Sequence, residues 1–320
     1  MSSTEKLEPI LLAVGAFLGL FLGKFTPLVP IFALLVQPLL MLMLLGVFWE
    51  IPIKDLKKGF TDLKFAGTSL FLNFVWIPIL GWVLALLLLR GQQDLVIGFI
   101  MLLVTPCTDW YLVFTAMARG NVALSASILP LNLILQLLLL PVFLWLFGGL
   151  QGQADPLLLL GSVLFVLFIP LIAARILVHV IRSKDRLKGV LERFTAKGRF
   201  WCLWLAVVCM FTGQGQNLID RPDVLVRLLA PVLLFFALNF VIVRFIGDLM
   251  RFSFADSVSL NLTTLARNSP VALTVAVGAF PDRPLIALTL IIGPLIELPV
   301  LAVIAKILLR IGKHRRIPGY

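Results

Sequence analysis

Thr105-Pro106-Cys107-Thr108-Asp109-Trp110 interrupts one long apolar stretch of this chain, and Thr263-Thr264-Leu265-Ala266-Arg267-Asn268-Ser269-Pro270 interrupts a second. The proline in each interruption lacks a backbone donor and disfavours helix in the residue before it. Inside a bilayer, backbone groups freed in this way must be shielded by protein or line a water-filled cavity. Two interruptions at matching places in two halves of a chain are typical of the substrate site of a secondary transporter. The two stretches therefore predict a membrane carrier.

The amino-acid composition agrees with this prediction. Hydrophobic residues make up 61% of the chain and charged residues 13%, with a mean hydropathy of +1.08, whereas a soluble domain is about a quarter charged. The net charge of +11 falls in short segments between apolar stretches, so it predicts topology rather than nucleic-acid binding. No HExxH, GxSxG or dinucleotide fingerprint occurs, which argues against an enzyme. Three cysteines without paired spacing predict no zinc site, cofactor or disulfide framework.

Ten apolar stretches approach or exceed the roughly 20 residues that a membrane-crossing helix needs. They are residues 9–25, 27–49, 66–89, 95–118, 122–148, 155–180, 200–217, 224–247, 255–279 and 284–310. Lys and Arg are concentrated after the second, sixth and tenth stretches, so the positive-inside rule predicts that both termini are cytoplasmic. We expect an integral, multi-pass protein of the plasma (inner) membrane, surrounded by the lipid bilayer.

The ten stretches divide at about residue 152 into two sets of five. Because five is odd, a second copy of one five-helix unit must insert with the opposite orientation. Leu138-Leu139-Leu140-Pro141-Val142 in the fifth stretch matches Ile296-Glu297-Leu298-Pro299-Val300 in the tenth. The predicted fold is an all-α polytopic membrane protein with ten transmembrane helices in two inverted repeats, residues 1–152 and 153–320, in which helices four and nine are broken.

Two charged residues lie within the interruptions. Asp109 in the membrane interior must be uncharged or paired with a cation, and Arg267 is the obvious partner if the two broken helices cross. Such a pair either takes part in binding or only locks the crossing. Further candidate substrate-binding residues in the two interruptions are Cys107, Thr108, Trp110, Asn268 and Ser269.

A carboxyl group and a thiol carry the remaining chemistry. Glu297 lies inside the tenth stretch, far from any predicted loop, and burial disfavours the charged form of a lone carboxyl group. Glu297 and Asp109 are therefore candidate proton carriers, the alternative being a hydrogen-bonded structural acid. Cys107 follows the helix-breaking proline, where its thiol could bind a soft centre or only pack.

Gly15, Gly19 and Gly23 give the first stretch a face of small residues that allows close helix packing. This face predicts packing within the chain, with a homodimer as the alternative.

At these residues the chain resembles the bile acid:sodium symporter superfamily, and within it the arsenical-resistance carriers. The likeness is strongest at Pro106-Cys107, at 118–125, at 266–270 and at 293–300. It implies ten helices in two inverted repeats with helices four and nine broken and crossing, and a panel and a core subdomain each drawn from both repeats. It also implies alternating access, roles in transport for Cys107 and Glu297, and efflux of arsenite coupled to proton entry.

Two features depart from the family patterns. The sodium-coupled branch has Asn in the fourth-helix break and Glu and Gln in the ninth, where this chain has Leu112, Thr263 and Arg267. Those sodium sites are therefore expected to be lost, and the positive charge of Arg267 would repel a sodium ion. Asp109 and Trp110 depart from the commonest motif of the arsenical carriers.

The sequence leaves three classes of function open. The first is a secondary active transporter of a small molecule, an arsenite exporter coupled to proton entry. Its alternative cargo is a small organic anion, whose carboxylate Arg267 would clamp bidentately, with proton or sodium coupling. The second class is a non-transporting membrane receptor or scaffold. An intramembrane enzyme is the least supported, because no recognised catalytic constellation occurs.

Overall fold

The computed structural model describes residues 3–25, 29–49, 62–107, 110–147, 156–181, 189, 198–219 and 222–314. Within these ranges the regular structure is helical, apart from one isolated antiparallel bridge. The helices are α1 (Ser3–Phe25), α2 (Val29–Trp49), α3 (Leu63–Phe71), α4 (Ile77–Leu88), α5 (Gln93–Leu103), α6 (Trp110–Met117), α7 (Val122–Phe147), α8 (Pro156–Ile181), α9 (Arg199–Ile219), α10 (Pro222–Leu249), α11 (Phe254–Leu265), α12 (Ser269–Ala279) and α13 (Pro284–His314).

Helices occupy the apolar stretches, and two of these stretches are interrupted. A π-helical turn, Leu72–Trp76, joins α3 and α4 into one continuous run. Helix α5 ends at Leu103 before α6 begins at Trp110, and α11 ends at Leu265 before α12 begins at Ser269. The helix therefore breaks within both stretches where the sequence predicts a break. The arrangement of ten spans in two inverted repeats stays a prediction.

Length and surface show that the chain is an integral, multi-pass membrane protein. Six helices or helical runs in the described residues are long and apolar enough to cross a bilayer. Large apolar side chains are exposed along them, including Leu34 at 76%, Leu87 at 72% and Phe245 at 66% of their full area. A soluble monomer rarely exposes so much contiguous apolar surface, whereas lipid accommodates it.

Cα packing divides the chain into two compact units, each built from separate segments. Unit 1 comprises Met1–Ile51, Gln151–Leu225 and Pro270–Ile291. Unit 2 comprises Pro52–Leu150, Val226–Ser269 and Ile292–Tyr320. Each unit draws residues from both halves of the sequence, and both predicted interruptions, apart from Pro270 at the end of the second, lie in unit 2. The assignment of panel and core subdomains stays a prediction.

Close pairing of α1 with α9 holds unit 1 together. A Cβ atom added to Gly19 would lie 2.5 Å from the main-chain oxygen of Val208, and one added to Gly15 would lie 2.8 Å from the indole nitrogen of Trp204. Only glycine permits so close an approach of two helices. The small-residue face of α1 therefore packs within the chain, as the first of the two alternatives predicts, and a homodimer stays a prediction.

In unit 2, hydrogen bonds join the first turn of α11 to the start of α7. The Ser253 hydroxyl caps α11 by accepting from the Asp256 amide at 3.1 Å. The Asn121 side chain donates to the Asp256 carboxylate at 2.8 Å, and the Ser259 hydroxyl donates to the Asn121 carbonyl at 2.9 Å. Asn121 belongs to the segment 118–125, so part of that motif serves to connect these two helices.

Candidate functional site

The two interruptions pair with each other through their backbones. Pro106 lies opposite Arg267 in an antiparallel bridge. The Cys107 amide donates to the Ala266 carbonyl at 3.0 Å, and the Asn268 amide donates to the Thr105 carbonyl at 2.6 Å. Extended backbone at membrane depth is tolerated only when protein or water satisfies its polar groups. Here each interruption supplies partners for the other.

The type of bridge explains why proline is tolerated at this position. The two hydrogen bonds flank the pair Pro106–Arg267 and do not involve its own amides, which is the non-hydrogen-bonded arrangement of antiparallel strands. Proline has no amide hydrogen to lose here, so it ends α5 without removing a bond from the pair. The Arg267 amide points away from the bridge and donates to the Glu297 carboxylate at 2.7 Å.

The Arg267 side chain is almost completely buried, with 2% of its area exposed. Its guanidinium donates four hydrogen bonds, all to oxygen atoms of unit 2. The acceptors are the carbonyls of Leu103 at 2.7 Å, Thr264 at 2.5 Å and Leu265 at 3.3 Å, and the Asn73 side chain at 3.0 Å. Leu103 ends α5 and Leu265 ends α11. One side chain therefore satisfies the carboxyl ends of both interrupted helices, which also carry partial negative charge.

Glu297 provides the only carboxylate that contacts this arrangement in the described part of the chain. It is 3% exposed and lies in α13. Its carboxylate accepts from the Arg267 main chain, whereas the Arg267 guanidinium bonds to carbonyl and amide oxygens. The connection between these two residues therefore runs through the backbone of the second interruption.

The structure brings several of the predicted site residues together. Cys107 is 3% exposed, Asn268 is 6% exposed and Ser269 is 2% exposed, and all lie beside the paired segments. The Ser269 hydroxyl has no hydrogen-bond partner among the described residues. Buried thiol, amide and hydroxyl groups thus lie at the bridge, and the Glu297 carboxyl group contacts it through the Arg267 amide.

Other predicted site residues receive no side-chain description. Thr108 and Asp109 lie outside the described residues, and Trp110 is described only as the first residue of α6. The expected pairing of Asp109 with Arg267 therefore stays a prediction, as does the role of Asp109 as a proton carrier.

Three residues belong to this site that were not among the predicted site residues. Asn73 accepts from the Arg267 guanidinium, the Phe235 ring centroid lies 5.7 Å from its central carbon, and Asn239 donates to the Thr264 carbonyl at 2.9 Å. The two asparagines are polar residues in the middle of apolar stretches, which predicts interhelical hydrogen bonds. The π-helical turn that contains Asn73 is a feature often found at functional sites, but nothing in the sequence assigns it to Arg267.

Apolar helices of membrane length, two interrupted helices and buried polar groups at their junction define a polytopic membrane transporter. Comparison with known families gives the same class. The family model described as the sodium bile acid symporter family matches residues 37–221, which is more than half of the chain. The chain belongs to this family.

Individual relatives are similar over much of the chain. The arsenical-resistance protein Acr3 of Corynebacterium glutamicum is 27% identical over 338 aligned positions, which cover 98% of this chain and 90% of that protein. An uncharacterised transporter of Synechocystis is 24% identical, covering 78% of this chain and 66% of its own length. The uncharacterised protein YbaS of Bacillus subtilis is 25% identical, covering 72% of this chain and 74% of its own.

Proposed function

We propose that this transporter exports arsenite by alternating access, coupled to the entry of protons. One observation carries the proposal. The Cys107 amide donates to the Ala266 carbonyl, and the amide of the following residue, Arg267, donates to the Glu297 carboxylate. A thiol that can hold As(III) and a carboxyl group that can hold a proton are thus connected through two adjacent residues. Similarity to an arsenical-resistance protein over 98% of the chain supports the choice of cargo.

Arsenite is largely the neutral As(OH)₃ at neutral pH, and As(III) is thiophilic. The Cys107 thiol would attack arsenic, forming a sulfur–arsenic bond while one arsenic–oxygen bond breaks. The thiol proton leaves with the departing hydroxide as water, and no electrons are transferred. Attachment through one sulfur is readily reversed by water, and a transported cargo must be released. The Ser269 hydroxyl, which has no partner among the described residues, is suited to bond the remaining As–OH groups.

Glu297 would couple this binding to protons. A hydrogen bond from an amide to an ionised carboxylate is roughly twice as strong as one to a neutral acceptor. Protonation of Glu297 would therefore weaken its bond with the Arg267 amide. Arg267 lies opposite Pro106 in the bridge, so a change at this amide reaches the segment that holds Cys107. Protons and cargo would thus influence each other's binding at the same pair of segments.

Arsenite uptake into everted membrane vesicles, with and without an imposed pH gradient, tests the proposal. We expect Cys107→Ser to reduce uptake at least about tenfold, and Glu297→Gln to abolish its dependence on the gradient. Cys209→Ser is the matched control, because Cys209 is also buried, at 1% exposure, but lies in α9 of unit 1. Undiminished uptake in both Cys107→Ser and Glu297→Gln would exclude the mechanism, provided that both variants are present in the membrane at the wild-type level.

A small organic anion is the alternative cargo, and the geometry of Arg267 argues against it. Bidentate capture of a carboxylate needs two neighbouring N–H donors of the guanidinium. The four hydrogen bonds that this group makes already engage each of its three nitrogen atoms with protein oxygens. Thermal stabilisation of the purified protein by arsenite or by a panel of carboxylates distinguishes the two cargoes.

A further inference from the structure

The oxygen atoms around Arg267 are of the kind that also bind free monovalent cations. Three are main-chain carbonyls from the last two residues of α11 and the last residue of α5, and the fourth is the Asn73 amide oxygen. Half-helix carboxyl ends and unwound carbonyls are the groups with which membrane transporters bind monovalent cations. Each such end also attracts positive charge through its helix dipole.

Further groups near this set are suited to a cation. The Asn239 side chain donates to the Thr264 carbonyl at 2.9 Å, and its own oxygen has no partner among the described residues. The hydroxyl of Thr263, one residue before Thr264, is likewise unpartnered there and fully buried. The Phe235 ring centroid lies 5.7 Å from the central carbon of the guanidinium, within the range of a cation–π interaction. Oxygen atoms and an aromatic ring thus surround a single positive charge.

We propose that the guanidinium of Arg267 is a tethered cation that occupies a monovalent-cation site in unit 2. The positive charge that this set of oxygens requires is carried by the guanidinium, which is covalently attached to the chain. Shortening the side chain leaves a site that binds a free guanidinium-type or alkali cation from solution. The wild-type protein needs no such cation at this position. The proposal does not depend on the cargo, because it concerns only the ligands of Arg267.

Purified protein tests this site without any transport assay. Thermal unfolding of the wild type, Arg267→Ala and Arg267→Gln is followed by tryptophan fluorescence while guanidinium, methylguanidinium or sodium chloride is titrated to tens of millimolar. Choline chloride keeps the ionic strength constant. We expect both Arg267 variants to unfold at a temperature lower by several degrees, about 5 °C or more. At least one cation should restore much of the loss with a saturable dependence.

Arg175→Ala is the matched control variant. Arg175 donates to the Phe48 carbonyl at 2.6 Å near the end of α2, so it is also an arginine bound to a helix-terminal oxygen, but through one bond and in unit 1. Neither this variant nor the wild type should respond to the added cations. Arg267→Lys keeps a tethered charge, and it should respond less than Arg267→Ala.

Two results would overturn the proposal. The first is the absence of a saturable rise in unfolding temperature with all three cations in both Arg267 variants. The second is an equal rise in the wild type, which would place the cation effect elsewhere. Should Arg267→Ala not fold, Arg267→Gln decides alone, since it is neutral and closer to arginine in length.

Discussion

The two units differ in how their buried polar groups are satisfied. In the described part of unit 1 the buried polar side chains are Thr212, Thr274 and Thr289, and each donates to the carbonyl four residues earlier in its own helix. In unit 2, buried polar residues occur on α3, α7, α10, α11 and α13, and several bond between helices. The buried polar side chains of unit 1 therefore bond within single helices, and bonds between its helices come from the half-buried Arg175 and Trp204. Unit 2 has a polar interior.

This difference bears on function, because burying a polar group in a membrane protein costs free energy unless the group has a partner. Some polar groups of unit 2 have none among the described residues, including both amide atoms of Asn132 and of Gln136. Self-satisfied threonines are compatible with a unit that only needs to hold its shape. Amides without partners among the described residues, in the unit that also holds the paired interruptions, are compatible with binding something small and polar.

The largest effect is expected at Glu297. Glu297→Leu leaves the Arg267 amide buried without its acceptor, which should lower the free energy of unfolding by about 3 kcal/mol. Glu297→Gln keeps an oxygen acceptor and should lose less than about half as much. Urea titration in mixed micelles measures both values. Equal losses in the two variants would show that the hydrogen bond with Arg267 is unimportant.

A packing change in unit 1 should rank second. Gly19→Ala puts a methyl group 2.5 Å from the Val208 oxygen and 2.7 Å from the Phe211 Cβ atom. Overpacking of this kind costs about 2 kcal/mol. Gly161→Ala is the control in the same unit, because nothing lies within 4 Å of its added Cβ atom. This substitution should raise the free energy of unfolding by up to about 1 kcal/mol, because alanine has the higher helix propensity. If both substitutions have the same effect, the close approach of α1 and α9 is not what stabilises unit 1.

A smaller effect separates interhelical from intrahelical polar groups. Asn239→Leu removes a bond between α10 and the end of α11, and it should cost about 1 kcal/mol. Thr212→Val in unit 1 removes only a bond within one helix, whose carbonyl acceptor keeps its main-chain partner, and it should cost less than about 0.5 kcal/mol. The contrast between the units fails if the threonine substitution proves the more damaging.

The smallest effect on stability is expected at Gln136, and it should be favourable. Gln136→Leu replaces a fully buried amide, which has no partner in the described part of the chain, by an apolar group of similar size. This change should stabilise the protein by about 0.5 kcal/mol. Uptake in vesicles should nevertheless fall if this amide serves the cargo. A variant that is less stable and transports normally would show that Gln136 is a satisfied structural residue.

The sequence predicts the two interruptions because their signals are local. Proline ends a helix wherever it stands, and polar residues within apolar sequence are visible without a structure. The same signals predict that Cys107, Arg267 and Glu297 lie away from the ends of their stretches. The small-residue face of Gly15, Gly19 and Gly23 is also a local pattern, and its packing within the chain follows the first of the two alternatives.

The partners of these groups were not predictable, because they depend on how distant segments meet. Sequence reasoning assigned Arg267 to Asp109 as opposite charges, whereas its observed acceptors include three carbonyls, which every residue possesses and no pattern marks. No sequence pattern predicts the antiparallel pairing of the interruptions either, since it uses backbone atoms alone. Glu297 is predicted as a proton carrier or a hydrogen-bonded structural acid, and no sequence pattern indicates that it contacts the second interruption through a main-chain amide.

The bridge at Pro106 and Arg267 also constrains the lengths of the two interruptions. Insertion or deletion of a single residue in either segment would shift which residues lie opposite each other. A different amide would then face Glu297, and position 106, where proline is harmless, would fall where a donor is needed. Substitutions in these segments are therefore expected to be tolerated more often than changes of length. Natural variants of this transporter should differ there in residue identity but not in the number of residues.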